Sequence, residues 1–199
     1  AGVPIIHLWD WPQRPIGHVV GFPNAGAARD IVGFLVARGY RRLAYLGETN
    51  DSGTRGARRR QGFIQAVEEL KLGPVRVYDH APPPLAMLHG RAALPLMLQK
   101  WPEIDAIVCV SDPSAFGVLT QAQIMGLAVP AELGIVGFGD FELSRCSMPA
   151  LTTVAVDGAR IGREAAKLLT DILDEVPGRV APRRRVKIDA ILTPRGTTR

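Results

Sequence analysis

Ile135-Val136-Gly137-Phe138-Gly139-Asp140-Phe141-Glu142, running on to Met148-Pro149-Ala150-Leu151-Thr152-Thr153-Val154, is the stretch whose reading decides the fold. Ile135 to Phe138 is apolar and rich in β-branched residues, so it reads as a buried strand. Gly137 and Gly139 remove side chains where the strand stops, which lets another group approach the backbone closely. Asp140 and Glu142 follow at once, and a loop leads to a second strand through the Thr pair. In an open parallel sheet, ligands bind just beyond the carboxyl ends of the strands. The stretch therefore reads as a sheet edge with a binding site at its end.

Outward from it, strands alternate with helices. Segments 4–8, 16–22, 43–47, 75–78, 105–110 and 187–192 read as strands. Asn24 is a good helix cap, and apolar residues from Ala27 to Leu35 recur at helical spacing before Gly39. Segments 57–70, 85–100, 114–125 and 157–175 read as further helices, with an interruption or bend expected at Pro95. Ser111-Asp112-Pro113 caps the helix from Ser114, with Pro just inside its start. This alternation means α/β architecture with a largely parallel sheet.

Composition narrows the classes. The 199 residues fit one large or two small domains, and 47% apolar with 22% charged residues is ordinary for a globular chain. No apolar run approaches the roughly 20 residues of a membrane span. Cys109 lies in an apolar strand and Cys146 in a polar loop, so two free thiols are expected rather than a disulfide framework or a metal motif. The net charge of +5 is concentrated in Arg58-Arg59-Arg60 and Arg183-Arg184-Arg185. The second cluster reads as a solvated loop, with contact to DNA or a partner as its alternative.

Catalysis finds little support. Gly137-Phe138-Gly139 lacks the third glycine and the following helix of a dinucleotide fingerprint. His7, His18, His80 and His89 are scattered without metal-ligand spacing, so no metal and no cofactor are expected. Ser111 follows a strand, but no His is placed to activate it. Three strand ends remain: one arginine of Arg58 to Arg60, Ser111-Asp112, and Phe138 to Glu142. Arginine, hydroxyl, carboxylate and aromatic groups without a nucleophile–base pair suit reversible binding of a small polar molecule such as a sugar or sugar acid.

Several motifs, in order, resemble the effector-binding core of lac repressor-type transcriptional regulators. Arg38 to Gly47 is similar to that family's helix end and strand, and Arg59-Arg60-Gln61-Gly62-Phe63 to its effector arginine followed by Gly and an aromatic. Ser111-Asp112 through Ala115-Phe116-Gly117 resembles its Asn-Asp-x-x-Ala-x-Gly. Gly126 to Pro130, Leu133 to Phe138, Pro149 to Val154 and Ile191 to Thr197 complete the set, which covers essentially the whole chain. The resemblance implies periplasmic-binding-protein-like (type I) Rossmann-like lobes with largely parallel sheets, the N-terminal lobe incomplete. On that reading residues 1–23 are a remnant of the N-terminal lobe and 24–155 the C-terminal effector lobe. Residues 156–178 are an N-terminal-lobe helix and 179–199 a return strand to the C-terminal lobe.

The same resemblance implies a cytoplasmic homodimer that is not an enzyme. Its effector would sit between the lobes, and it would meet operator DNA through an N-terminal helix-turn-helix head that this chain lacks. Roughly the first third of such a protein would then be missing, and the incomplete lobe should expose apolar surface. Arg59 would anchor the ligand; Ser111, Asp112, Asp140 and Glu142 would supply polar contacts, and Phe138 and Trp9 apolar walls. The helix from Ser114 and the loop from Cys146 to Leu151 would pair the protomers, with Phe116 central. Two departures stand out. Gly139 replaces the acid that grips sugar hydroxyls in many members, and Ser111 stands where Asn is usual. The Gly-Phe-Gly-Asp-Phe-Glu form is similar to the gluconate-utilisation repressors, which points to a sugar acid. A transporter's periplasmic sugar-binding protein shares the fold and is the alternative.

Overall fold

The computed structural model describes residues 3–49, 55–174 and 182–199. In chain order its strands are β1 (Ile6–Leu8), β2 (His18–Gly21), β3 (Leu43–Glu48), β4 (Val77–Ala81), β5 (Ala106–Cys109), β6 (Gly134–Val136), β7 (Thr153–Val156), β8 (Arg185–Lys187) and β9 (Ala190–Thr193). Its helices are α1 (Asn24–Ala37), α2 (Arg55–Glu69), α3 (Met87–Lys100), α4 (Asp112–Ile124), α5 (Glu142–Cys146) and α6 (Gly158–Leu173). The chain forms two compact units. The first is Ala1–Asn24 with Val156–Ala190; the second is Ala25–Ala155 with Ile191–Arg199.

The second unit is built on a four-stranded parallel sheet in the order β4-β3-β5-β6. Its central strands are buried on both faces, as their near-continuous apolar sequences require. Beyond β6 the sheet is extended by single parallel bridges, Val136 to Thr152 and Gly139 to Ala155. Thus the stretch after β6 and the Thr pair after it run side by side. Asp105, at the start of β5, accepts the backbone N–H groups of Arg41 and Arg42 at 3.0 and 2.9 Å, tying the entries of two neighbouring strands. Ile31, Leu35, Tyr40, Tyr45, Phe63, Leu94, Met97, Ile107 and Leu119 are fully buried or nearly so.

The first unit is smaller. Strands β1, β2 and β8 form a parallel sheet in that order, and α6 packs on β1 and β2. Ile161 and Leu168 of α6 are buried, whereas Leu169 and Leu173 stay exposed, as do Val3, Ile5, Leu8 and Ile16. A short sheet covered by one helix has too little area to bury its apolar residues. The arginines 183–185 are not a free solvated loop. Arg183 and Arg185 donate to the carbonyls of Pro15 and Pro12 at 2.7 and 2.9 Å. Arg185 also lies over the Trp11 ring, and Arg184 pairs with Asp171 at 3.1 Å.

Four local expectations change. α3 runs unbroken through Pro95. The segment read as loop after Asp140 contains α5, because Glu142 can enter a helical turn whose first carbonyl is Phe141. Leu70 falls past the end of α2 and is exposed. The single strand expected over 187–192 is two, β8 in the first unit and β9 at the crossing into the second. The expected helix end at 175 and the boundary at 178/179 lie outside the described residues.

Candidate functional site

The strand ends of the second unit place four groups near one another: Glu48 at the end of β3, Ser111 and Asp112 after β5, Phe138 to Asp140 after β6, and Arg59 on the first turns of α2. Arg59 reaches across the sheet. Its guanidinium lies 4.2 Å from the centre of the Phe138 ring, itself only 4% exposed. Stacking on a buried aromatic holds a guanidinium flat. Its neighbour Arg60 turns to the edge strand and pairs with Asp79 at 3.1 Å. Arg60 is therefore a partner of β4 rather than of the strand ends.

Asp112, expected to face a ligand, is instead wholly buried. One carboxylate oxygen accepts the Phe141 N–H at 2.8 Å and the other the Thr153 hydroxyl at 2.5 Å. Its own N–H donates to the Phe138 carbonyl at 3.0 Å. The group that approaches Gly137 is this carboxylate: a Cβ there would collide with it. Burial pushes the Asp112 carboxyl up, and the Thr153 and Phe141 hydrogen bonds only partly offset this. Asp112 therefore joins β5 to β7 and to the loop after β6.

Asp140 is likewise committed. It sits at φ +53, and its oxygens accept from Arg195 at 2.6 Å and Arg145 at 3.0 Å, with the Ser144 hydroxyl at 3.3 Å. Burial raises this carboxyl, but the hydrogen bonds and charges of the two arginines outweigh it, and the net shift is down. Arg195 also donates to the Leu151 carbonyl at 3.0 Å. Gly139 is at φ +132, with the Phe141 ring packed over the place a side chain would take. Phe141 itself is half exposed.

Ser111 is half-buried; its N–H and hydroxyl meet the Ser114 hydroxyl at 3.3 and 3.2 Å, within the first turn of α4. Glu142 is exposed on α5. Trp9 belongs to the first unit, at φ +65, its carbonyl accepting the Asn24 amide at 2.9 Å. Sequence reading missed Arg195 and Glu48. Arg195 was visible only as part of a terminal motif, and Glu48 only as the first residue of a polar loop. Burial raises the Glu48 carboxyl against the pull of Arg59 and Arg55. Among the described residues no group of three or more His, Cys, Asp or Glu is arranged to hold a metal ion, and no helix is long and apolar enough to cross a membrane. A cavity of about 660 Å³ at the opposite end of the sheet is lined by Arg42, Glu103, Asp105 and Glu132 among others. Arg42 is held there by the Glu103 carbonyl at 2.6 Å and lies 3.7 Å from Asp105.

Comparison with known proteins gives the same frame. Residues 32–198 match the model of a periplasmic binding protein-like domain. The chain is 32% identical over 171 residues to the HTH-type transcriptional regulator IdnR of Escherichia coli, covering 85% of this chain and 50% of that protein. It thus spans about half the length of the curated relatives it matches. A LacI family transcriptional regulator from Silicibacter pomeroyi superposes with a TM-score of 0.92 at 42% identity, covering 98% of this chain and 70% of that one. The transcription regulator GntR from Chromobacterium violaceum superposes with a TM-score of 0.85 at 31% identity, with the same coverage.

Proposed function

The chain belongs to the LacI family of transcriptional regulators, and from that premise we propose that it is the effector-binding and dimerisation region of a cytoplasmic repressor controlled by a sugar acid such as gluconate. The carrying observation is the charge balance at the strand ends. Arg59 presents a guanidinium flattened on Phe138, Gly139 contributes no carboxylate, and Asp140 is neutralised by Arg195 and Arg145. Such a face favours an anion over a neutral polyol, because an unopposed carboxylate would repel one. Arg59, Ser111 and Phe138 are the proposed ligand contacts. Asp112 and Asp140 shape the loop from behind, and Glu142 is a rim contact.

The bound effector changes the affinity of a helix-turn-helix head, of the kind its relatives' names describe, for operator DNA. A homodimer forms through α4, with Phe116 central, and the loop from Cys146 to Leu151. The role is binding rather than catalysis. Titration calorimetry on the full-length gene product tests the reading. D-gluconate should bind and D-glucose should not; glucose binding without gluconate binding would sink it. A transporter's sugar-binding protein shares the architecture, but relatives named as HTH-type regulators favour the regulator.

A further inference from the structure

We propose that Phe141 is a specificity-determining residue of this site: its ring takes the place of a side chain at Gly139 and forms the apolar wall along the carbon chain of an acid whose carboxylate is held by Arg59. The inference deepens the sugar-acid reading above and rests on it.

Residues 139 and 141 cannot both carry a side chain into this space. A Cβ on Gly139 would lie 2.9 Å from Cε2 and 3.2 Å from Cδ2 of the Phe141 ring, closer than the contact distance of carbon atoms. Gly139 is also at φ +132, a backbone conformation that favours glycine. The ring therefore folds back over the strand end, where the glycine leaves room for it.

The backbone that carries the ring is held from behind. The Phe141 N–H donates to the Asp112 carboxylate at 2.8 Å, and the Phe141 carbonyl accepts the Ser144 N–H at 2.9 Å as α5 begins. The Asp112 N–H donates in turn to the Phe138 carbonyl at 3.0 Å, and Asp112 is wholly buried. One buried residue thus anchors Phe138 and Phe141, on either side of Gly139 and Asp140. Arg195 and Arg145 bind the Asp140 carboxylate on the same loop. With Asp112 and Asp140 both held by internal partners, what this loop offers a ligand is an aromatic ring.

The two phenylalanines differ in exposure. Phe138 is 4% exposed, with the Arg59 guanidinium 4.2 Å from its ring centre, so it supports the cation. Phe141 is 53% exposed, which leaves ring surface for a ligand to cover. A single exposed phenylalanine is ordinary on a protein surface. This one stands at a strand end beside the binding face, its backbone clamped on both sides. A sugar acid has the matching chemistry: a carboxylate for Arg59, and C–H groups along its chain for an aromatic face. A short acid reaches the arginine alone and gains nothing from the ring.

The test is titration calorimetry on the full-length protein, comparing wild type, Phe141→Ala and Phe141→Tyr. D-gluconate is titrated directly, and the three-carbon acid D-glycerate is followed by its competition with gluconate. Phe141→Ala should weaken gluconate binding about tenfold and leave the glycerate affinity unchanged. Phe141→Tyr, which keeps the ring, should hold gluconate within about threefold of wild type. Should the alanine variant fail to fold, Phe141→Leu carries the same comparison. Equal losses for both acids overturn the proposal and make Phe141 a scaffold residue. Gluconate that binds wild type and variants alike overturns this inference alone. Gluconate that fails to bind the wild type overturns the sugar-acid reading itself, and this inference with it.

Discussion

Asp140→Asn should destabilise the protein by about 2–3 kcal/mol at neutral pH while leaving the fold intact. The magnitude comes from the geometry. Arg195 meets Asp140 at 2.6 Å with side chains only 18% and 15% exposed, so solvent screens the pair weakly. Opposite charges about 4 Å apart at an effective dielectric of about 20 attract by about 4 kcal/mol. Asparagine keeps one acceptor oxygen, and Arg195 keeps the Leu151 carbonyl, so part of that is retained. Arg145, 63% exposed, adds under about 1 kcal/mol. For a chain of this size the loss lowers Tm by about 5–10 °C.

The pH dependence of that loss is signed. The Asp140 carboxyl is depressed below its ordinary value, since Arg195 and Arg145 outweigh burial. Its contribution is complete above the unfolded carboxylate pKa of about 3.9 and is lost as pH falls through the lower folded value. Urea unfolding of both proteins should therefore show the full gap at about pH 7 and a closing gap near about pH 3. A gap under about 0.5 kcal/mol at neutral pH, or one that persists undiminished in acid, would refute the assignment of Asp140 to an internal ion pair.

Arg59→Ala should weaken gluconate binding by about 100-fold, the worth of charge-assisted donation, and lower Tm by a few degrees through loss of its stacking on Phe138; a large Tm drop with unaltered affinity would show a purely structural arginine. Gly139→Asp would restore the acid usual in the family, but at φ +132 and under the Phe141 ring. It should cost about 1–3 kcal/mol in denaturant titration and reduce gluconate affinity; an unchanged affinity would remove Gly139 from the specificity argument.

Much of the architecture was legible in the chain. Apolar runs such as 43–47 and 105–110, separated by helical periodicity, specify a parallel sheet, because strands buried on both faces need continuous apolar sequence. Strand ends pointed to Phe138 and to one arginine of Arg58 to Arg60, the family resemblance singled out Arg59, and the Arg59 and Phe138 side chains meet there. What the one-dimensional pattern could not show was which polar groups the fold consumes. Asp112 and Asp140 read as ligand acids because both follow strands, yet Asp112 is held by partners 29 and 41 residues away, and Asp140 by Arg195, 55 residues away, together with Arg145.

The sequence by itself determined the alternation of elements, the family resemblance, and the absence of a side chain at Gly139. These depend on local periodicity and residue identity, which need no third dimension. Tertiary structure alone decided that Arg195 neutralises Asp140, that Thr153 and Phe141 hold Asp112, and that Arg59 stacks on Phe138. Charge at a site is set by through-space distance and burial. Those are fixed only when β3, β5, β6 and the terminal segment pack together.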